Sequence, residues 1–236
     1  MYAKEEKLAK ANIASVAPEG GSKLDLAEVL AASLDAIAEA DDVLSGDAAV
    51  GVRAVLKAHL VQGRARVSEK FEGGELGGLE AARAIVVVAD EIVAALYGFT
   101  VTHAHPRSAN PTVGERLSVV AVGGYGRAEM APYSDVDILF LLPYKPTPWG
   151  EQVVEYMLYV LWDLGLKVGH ATRSVDECIL RAKVDTTIRT SLLEARHVCG
   201  DEALALELKQ SFVSEFAAST GPAFVEAKLA ERDGRH

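Results

Sequence analysis

Two carboxylates, Asp135 and Asp137, stand two residues apart at the head of an apolar run that continues to Leu142. Side chains alternate along a strand, so residues i and i+2 share a face and both carboxylates can reach one site. Such a pair suits a hard divalent ion such as Mg2+, held by one or two carboxylates together with phosphate oxygens. Eleven residues before Asp135 stands Gly124, closing a Gly123-Gly124 pair that follows directly on a second β-branched run, Leu117 to Val122. Glycines at such a turn let backbone amides approach a phosphate closely. Arg127, in the same connection, offers a planar fork of donors to phosphate oxygens. Alone, Asp-x-Asp reads as edge or turn chemistry and Gly-Gly as a turn. Together, at strand, glycine turn, strand and carboxylate-pair spacing, they make one signal for metal-assisted chemistry on a phosphate.

The elements that must carry these residues can be read outward from them. Leu117 to Val122 and Val136 to Leu142 are predicted strands, and Leu166 to Ala171 a third. Thr147-Pro148 is a cap and first-turn pair for a helix whose apolar face runs from Val153 to Leu164, with Gly165 as its stop. Ser174-Val175-Asp176-Glu177 is a capping box, predicting a helix over 175–183. Further helices are expected over 185–198, 202–215 and 223–231. Upstream, helical spacing links Val50, Val55, Leu56, Leu60 and Val61 after a start at Ser45-Gly46-Asp47. A glycine-rich break at 73–78 precedes another helix, Leu79 to Tyr97, with Gly98 as its expected stop. The stretch from Thr102 to Gly114 has breakers and no period, and reads as a loop. The fold class is α+β: a small mixed sheet embedded in helices. The expected organisation is a helical region over 1–110, a core over 111–200, and over 201–236 the start of a following helical region, cut short.

Composition bounds the partners. Lys plus Arg is 24 and Asp plus Glu 34, a formal net charge of -10. That argues against a general nucleic-acid binder, whose affinity comes mostly from cations on phosphates. Apolar runs such as Ala84 to Ala89 and Ile138 to Pro143 are too short to span a membrane. The first ten residues carry charges and no apolar signal region. Two cysteines, Cys178 and Cys199, make neither a disulfide framework nor a zinc set. The expectation is a cytoplasmic protein with no nucleic-acid or membrane partner.

The stretch AVGGYGRAEMAPYSDVDILFLLP, Ala121 to Pro143, resembles the nucleotidyltransferase signature of the DNA polymerase beta superfamily. More narrowly, it is similar to the N-terminal catalytic module of the bacterial PII uridylyltransferase/uridylyl-removing enzymes. A second block, Leu161 to Asp201, resembles the same family, and weaker likeness reaches back through Gln62-Gly63-Arg64. The resemblance implies a polymerase beta-like fold and transfer of UMP from UTP to a tyrosine of the signalling protein PII, with release of pyrophosphate. It implies Mg2+ or Mn2+ on Asp135 and Asp137, and Gly123, Gly124 and Arg127 on the phosphates. Ser134 either helps with phosphate or caps the strand. Many superfamily members carry a third carboxylate on the next strand; here that strand reads Lys167-Val168-Gly169-His170-Ala171-Thr172-Arg173. His170 is open as base, ligand or structural residue, and Arg173 as nucleotide contact or ion pair. Asp185 is explained as a helix start. Adenylyl transfer, another acceptor, or a non-catalytic nucleotide-binding module are the alternatives. The family's phosphohydrolase and glutamine-sensing motifs do not occur in this sequence.

The remaining polar and aromatic residues read as structural. His103 and His105 are expected in a solvated loop, and Cys178 and Cys199 on helices. Trp149 and Trp162 are expected to pack a helix onto the sheet. Arg181, Lys183 and Arg189 read as a solvated basic face.

Overall fold

The computed structural model describes residues 26–40 and 46–216, together with Leu229 and Asp233. The expectations at Ser45 and, Leu229 apart, over 223–231 lie outside the described residues. Chain contacts divide the protein into two units, described in turn.

The first unit gathers the chain up to Asn110 with residues 128–135 and 151–168. Its helices are α1 (Leu26–Ala40), α2 (Gly46–Glu72) and α3 (Gly78–Phe99). Between α2 and α3 the glycine break works as expected: Gly74 takes φ 76, and the amides of Gly73 and Glu75 return to Glu69 and Lys70. Buried Val52, Leu56 and Leu60 of α2 and Ile92, Val93 and Leu96 of α3 supply the apolar faces. Within this packing, His59 Nε2 lies 2.7 Å from Glu91 Oε2, so the helix pair buries a polar contact that is satisfied on both sides. Gly98 does not end α3. The helix runs to Phe99 and widens into a π-helical turn, Thr100–Ala104, where buried Thr100 Oγ1 donates to the Leu96 carbonyl at 2.6 Å. That turn corrects the loop expected from Thr102. His103 sits 2.9 Å from Asp35 Oδ1, and His105 meets the edge of the Tyr156 ring, so both histidines pack rather than solvate. Gly78–Ala104 is long and apolar enough to cross a membrane by length and composition, but over half of it is buried inside the protein. With Glu91 committed to His59, it reads as a core helix.

The second unit takes 111–127, 136–150 and the chain from Gly169. It contains a four-stranded mixed sheet. The strands are β1 (Ser118–Ala121), β2 (Val136–Leu142), β3 (Val168–Ser174) and β4 (Arg196–Gly200), in the order β3-β2-β1-β4. A four-residue turn of helix, α4 (Gly123–Gly126), follows β1. The chain passes from β2 to β3 through α5 (Pro148–Asp163), most of which belongs to the first unit. Its start is capped as the sequence predicts: the Gly150 amide donates to Thr147 Oγ1 at 3.2 Å. Trp162 corrects an expectation, being 45% exposed and edge-on to Tyr159 rather than packed on a sheet.

β1 pairs antiparallel with both β2 and β4, with Val120 opposite Leu139 and His197, and a register shift between Val119 and Val120. β4 was expected as the end of a helix; instead α6 (Val175–Val184) and α7 (Thr186–Leu193) stop short of it, and α8 (Glu202–Phe216) follows. Cys199 therefore lies on a strand, whereas Cys178 is buried on α6, where burial pushes its thiol up to about 12. Ser174 and Glu177 exchange the two capping-box hydrogen bonds at 3.2 and 2.9 Å. Asp185 caps α7 by accepting from the Thr187 and Ile188 amides, which hold its carboxyl below the usual range. Arg189 turns back on the end of α6, donating to the carbonyls of Ala182 and Lys183, and Lys183 pairs with Glu215. One sheet face, Val120, Leu139 and Leu141, packs with Cys178, Leu192, Leu208 and Phe212 in one apolar core. Each such side chain contributes about 2 kcal/mol on burial, which makes this face the main tie between sheet and helices.

Where β4 leads into α8, Asp201 accepts from Arg116 Nε at 2.6 Å and from the Leu204 amide at 3.2 Å. The Arg116 hydrogen bond holds the Asp201 carboxyl below the usual range. The folded chain thus binds this proton less tightly than the unfolded chain. The stabilisation is present above the unfolded value of about 3.9 and is lost as pH falls through the folded one. Side-chain exposures of 22% and 35% keep the pair screened. Asp201→Asn is expected to lower the unfolding free energy by about 1 kcal/mol at neutral pH. In denaturant titrations, the gap from the parent should close as pH falls below about 4.

Candidate active site

Asp137 is the second residue of β2 and lies on the face that carries Leu139 and Leu141, at the point where the apolar core gives way. Its carboxylate is hemmed by backbone on both flanks. A Cβ on Gly123 would stand 3.0 Å from Oδ2, and one on Gly169 would stand 2.2 Å from Oδ1. Gly123 also takes φ 59, a left-handed conformation that side chains disfavour. The Val122 amide donates to the Asp137 carbonyl at 3.0 Å, tying the start of the glycine turn to β2. The carboxylate thus has room only because neither neighbouring segment carries a side chain there. Gly169 was not singled out from the sequence, although an isolated glycine inside a strand pattern signals a close backbone approach.

The turn itself is gripped by the segment entering β4. A Cβ on Gly126 would fall 2.2 Å from the Glu194 carbonyl oxygen. Arg127 Nη1 pairs with Glu194 Oε2 at 2.6 Å, and Arg196 Nη2 donates to the Tyr125 carbonyl at 3.2 Å. The Arg196 guanidinium also lies 5.4 Å from the centroid of the fully buried Tyr125 ring. Glu194 and Arg196 were not candidates in the sequence, because their approach to 125–127 depends on the pairing of β4 with β1.

The other candidates fall into different places. Gly124 is in α4, half-buried. Asp135 is exposed immediately before β2. Ser134, half-buried, closes a turn by donating its amide to the Ala131 carbonyl at 3.1 Å. Arg173 lies near enough to Asp185 to lower that carboxyl further, so it takes part in the charge balance at the start of α7. His170 is exposed, and strand alternation turns it away from the face of Gly169 and Asp137. It is therefore not brought to Asp137 as base or ligand. Among the described residues, no three His, Cys, Asp or Glu side chains gather as a metal cage. A carboxylate pair at a strand head instead has the donor set of Mg2+, which completes its shell with water and phosphate oxygens.

A small mixed sheet wrapped in helices, with a glycine turn after one strand and carboxylates at the head of the next, defines a nucleotidyltransferase-like α+β fold. Comparison with curated proteins narrows the class. Over 185 residues the chain is 58% identical to the bifunctional uridylyltransferase/uridylyl-removing enzyme of Rhodospirillum rubrum, covering 78% of this chain and 19% of that protein. The protein of the same name from Caulobacter vibrioides is 52% identical over 200 residues, 84% of this chain and 21% of the relative. That of Azospirillum brasilense is 56% identical over 181 residues, 77% of this chain and 19% of the relative. The chain is a homologue of a segment of these bifunctional enzymes, spanning about a fifth of their length. No family model matches it.

Gly169→Ala puts a methyl where the Asp137 carboxylate stands, so either the carboxylate or β3 must move. In titrations with Mn2+ and UTP, this variant is expected to bind the metal–nucleotide pair at least about tenfold more weakly, the equivalent of one displaced charged contact. His170→Ala should bind as the parent does.

Proposed function

We propose that the chain is the nucleotidyl-transferring part of a uridylyltransferase, moving UMP from UTP to a tyrosine hydroxyl of the nitrogen regulatory protein PII and releasing pyrophosphate. The observation that carries this reading is the Asp137 carboxylate held between Gly123 and Gly169 beside the glycine turn. Identity of 52–58% to proteins named uridylyltransferase supports the choice of uridylyl over adenylyl transfer.

In this reading Asp135 and Asp137 hold Mg2+ or Mn2+. When bound, the ion neutralises charge on the triphosphate and orients it for in-line displacement. Gly123 and Gly124 present backbone amides to phosphate oxygens with no Cβ in the way. Arg127, half-exposed in its pair with Glu194, is within the same turn and supplies donors to phosphate. The tyrosine oxygen attacks the α-phosphorus, the bond to the bridging oxygen breaks, and the electron pair leaves with pyrophosphate. The phenol proton passes to water as the tyrosine oxygen attacks. The formal charge of -10 favours a protein acceptor over a nucleic acid. A cytoplasmic location belongs to the same proposal, as does the absence of a membrane partner.

The test is direct. Incubation with PII, α-labelled UTP and Mg2+ is expected to label a PII tyrosine, and chelation should stop it. Asp137→Asn is expected to slow labelling by about a thousandfold, the rate equivalent of several kcal/mol of lost charge stabilisation. Failure of the parent chain to label PII while it binds UTP overturns the proposal.

A further inference from the structure

Two arginines meet the glycine turn, and their contacts differ in kind. Arg196 Nη2 donates to the Tyr125 carbonyl, and its guanidinium lies on the Tyr125 ring, so this cation serves the shape of the turn. Arg127 follows the turn directly, and its Nη1 meets a carboxylate instead, Glu194 Oε2, at 2.6 Å. Half of the Arg127 side chain is exposed, against 23% of Glu194. The less exposed partner is also the more firmly rooted. Glu194 ends α7, and the amide after it, of Ala195, returns to the carbonyl of the core residue Leu192 at 3.2 Å. The carbonyl of Glu194 itself packs on Gly126, where a Cβ would stand 2.2 Å away. The main chain therefore keeps this carboxylate beside the turn whatever Arg127 binds. All of these residues, with Gly123, Gly124 and Asp137, belong to the second unit.

A guanidinium fork matches carboxylate and phosphate oxygens with the same geometry. Two anions brought to one arginine also repel each other. We propose that the Glu194 carboxylate is an internal competitor of phosphate for Arg127 and lowers the affinity of the chain for a triphosphate. The proposal rests on the reading of Arg127 as a phosphate contact and adds the residue that opposes it. Glu194 acts through Arg127, so it is a positioning residue and not a catalytic one. Because this competitor is tethered, it acts at high effective concentration and retakes the arginine as pyrophosphate leaves. A purely structural ion pair predicts the opposite sign, since its loss loosens the turn and weakens the ligand.

Calorimetric titration of the chain with inorganic triphosphate, with and without Mg2+, reads the sign directly. Glu194→Gln keeps the shape and the main-chain packing and removes the charge. It is expected to bind triphosphate about fivefold more tightly than the parent, as befits a pair this exposed. The gain should be larger without Mg2+, where no cation shares the phosphate charge. Asp176→Asn removes the same charge from the exposed start of α6 in the same unit and should bind as the parent does. Arg127→Gln alone should weaken binding, and adding Glu194→Gln to it should bring no gain. Equal or weaker binding by Glu194→Gln overturns the competition; a loss in Arg127→Gln beside it leaves the phosphate role of Arg127 standing. A full gain from Glu194→Gln in the Arg127→Gln chain overturns it as well, since the effect is then one of charge at large. Arg127→Gln that binds as tightly as the parent, or a parent that binds no triphosphate in either condition, overturns both this inference and the phosphate role of Arg127.

Discussion

The site depends on one steric constraint, the approach of two backbones to the carboxylate of Asp137. A charged group at the end of an otherwise apolar strand face must be given space without being given a hydrophobic lid. Gly123 and Gly169 provide that space from the segments on either side of β2. The arrangement works only if β2 lies between β1 and β3, which is the order observed. Register matters as much as order. A slip of one residue in β2 would send Asp137 to the opposite face and bring buried Ile138 in its place. Leu139 and Leu141, both almost fully buried, anchor the register by filling the core on the same face. The apolar half of the strand thus fixes where its charged end can point.

The glycine turn is fixed from another direction. Its own four residues form too short a helix to hold a conformation alone. The chain entering β4 does this: the Glu194 carbonyl fills the space beside Gly126, Glu194 pairs with Arg127, and Arg196 covers Tyr125. A strand at the sheet edge, far along the sequence, is therefore part of the turn's support. The Arg116–Asp201 pair and the cap that Asp201 gives α8 close the other end of that strand. Positioning of the turn and stability of the edge are coupled through β4.

Local chemistry was legible in the sequence wherever the partner lay within a few residues. The Ser174 and Glu177 capping box, the Asp185 cap, the Thr147 cap and the turn at Gly74 all formed as their residue types dictate. The first two strands were legible from their β-branched runs and flanking breakers. β4 was not: Arg196 to Cys199 is a short edge strand, half-buried throughout, so it shows no alternation, and a preceding helix masks its start. Gly98 misled because a π-helical turn continues α3 through it. His103 found its carboxylate, Asp35, on another helix, and no local pattern could show that. Among the candidate residues, spacing alone brought out Asp137 and its neighbour Gly123. Gly169 and Glu194 became visible only through strand pairing, which also turned His170 outward.

The acidic balance of the chain bears on how such a site can take a polyanion. A formal charge of -10 gives a long-range field that repels a triphosphate, so affinity must come from groups within a few ångströms. In the second unit, Arg127 already holds Glu194, and Arg116 already holds Asp201. An arginine paired in advance is oriented, but it yields less new attraction, since the ligand must replace a carboxylate that is already bound. Under the proposed reading, most of the compensation then falls to a divalent ion on the two carboxylates. On that proposal the acidic residues at the head of β2 would turn from repelling the ligand to binding it when a cation is held there. That makes the binding of metal and of nucleotide mutually dependent, which an excess of basic residues would not.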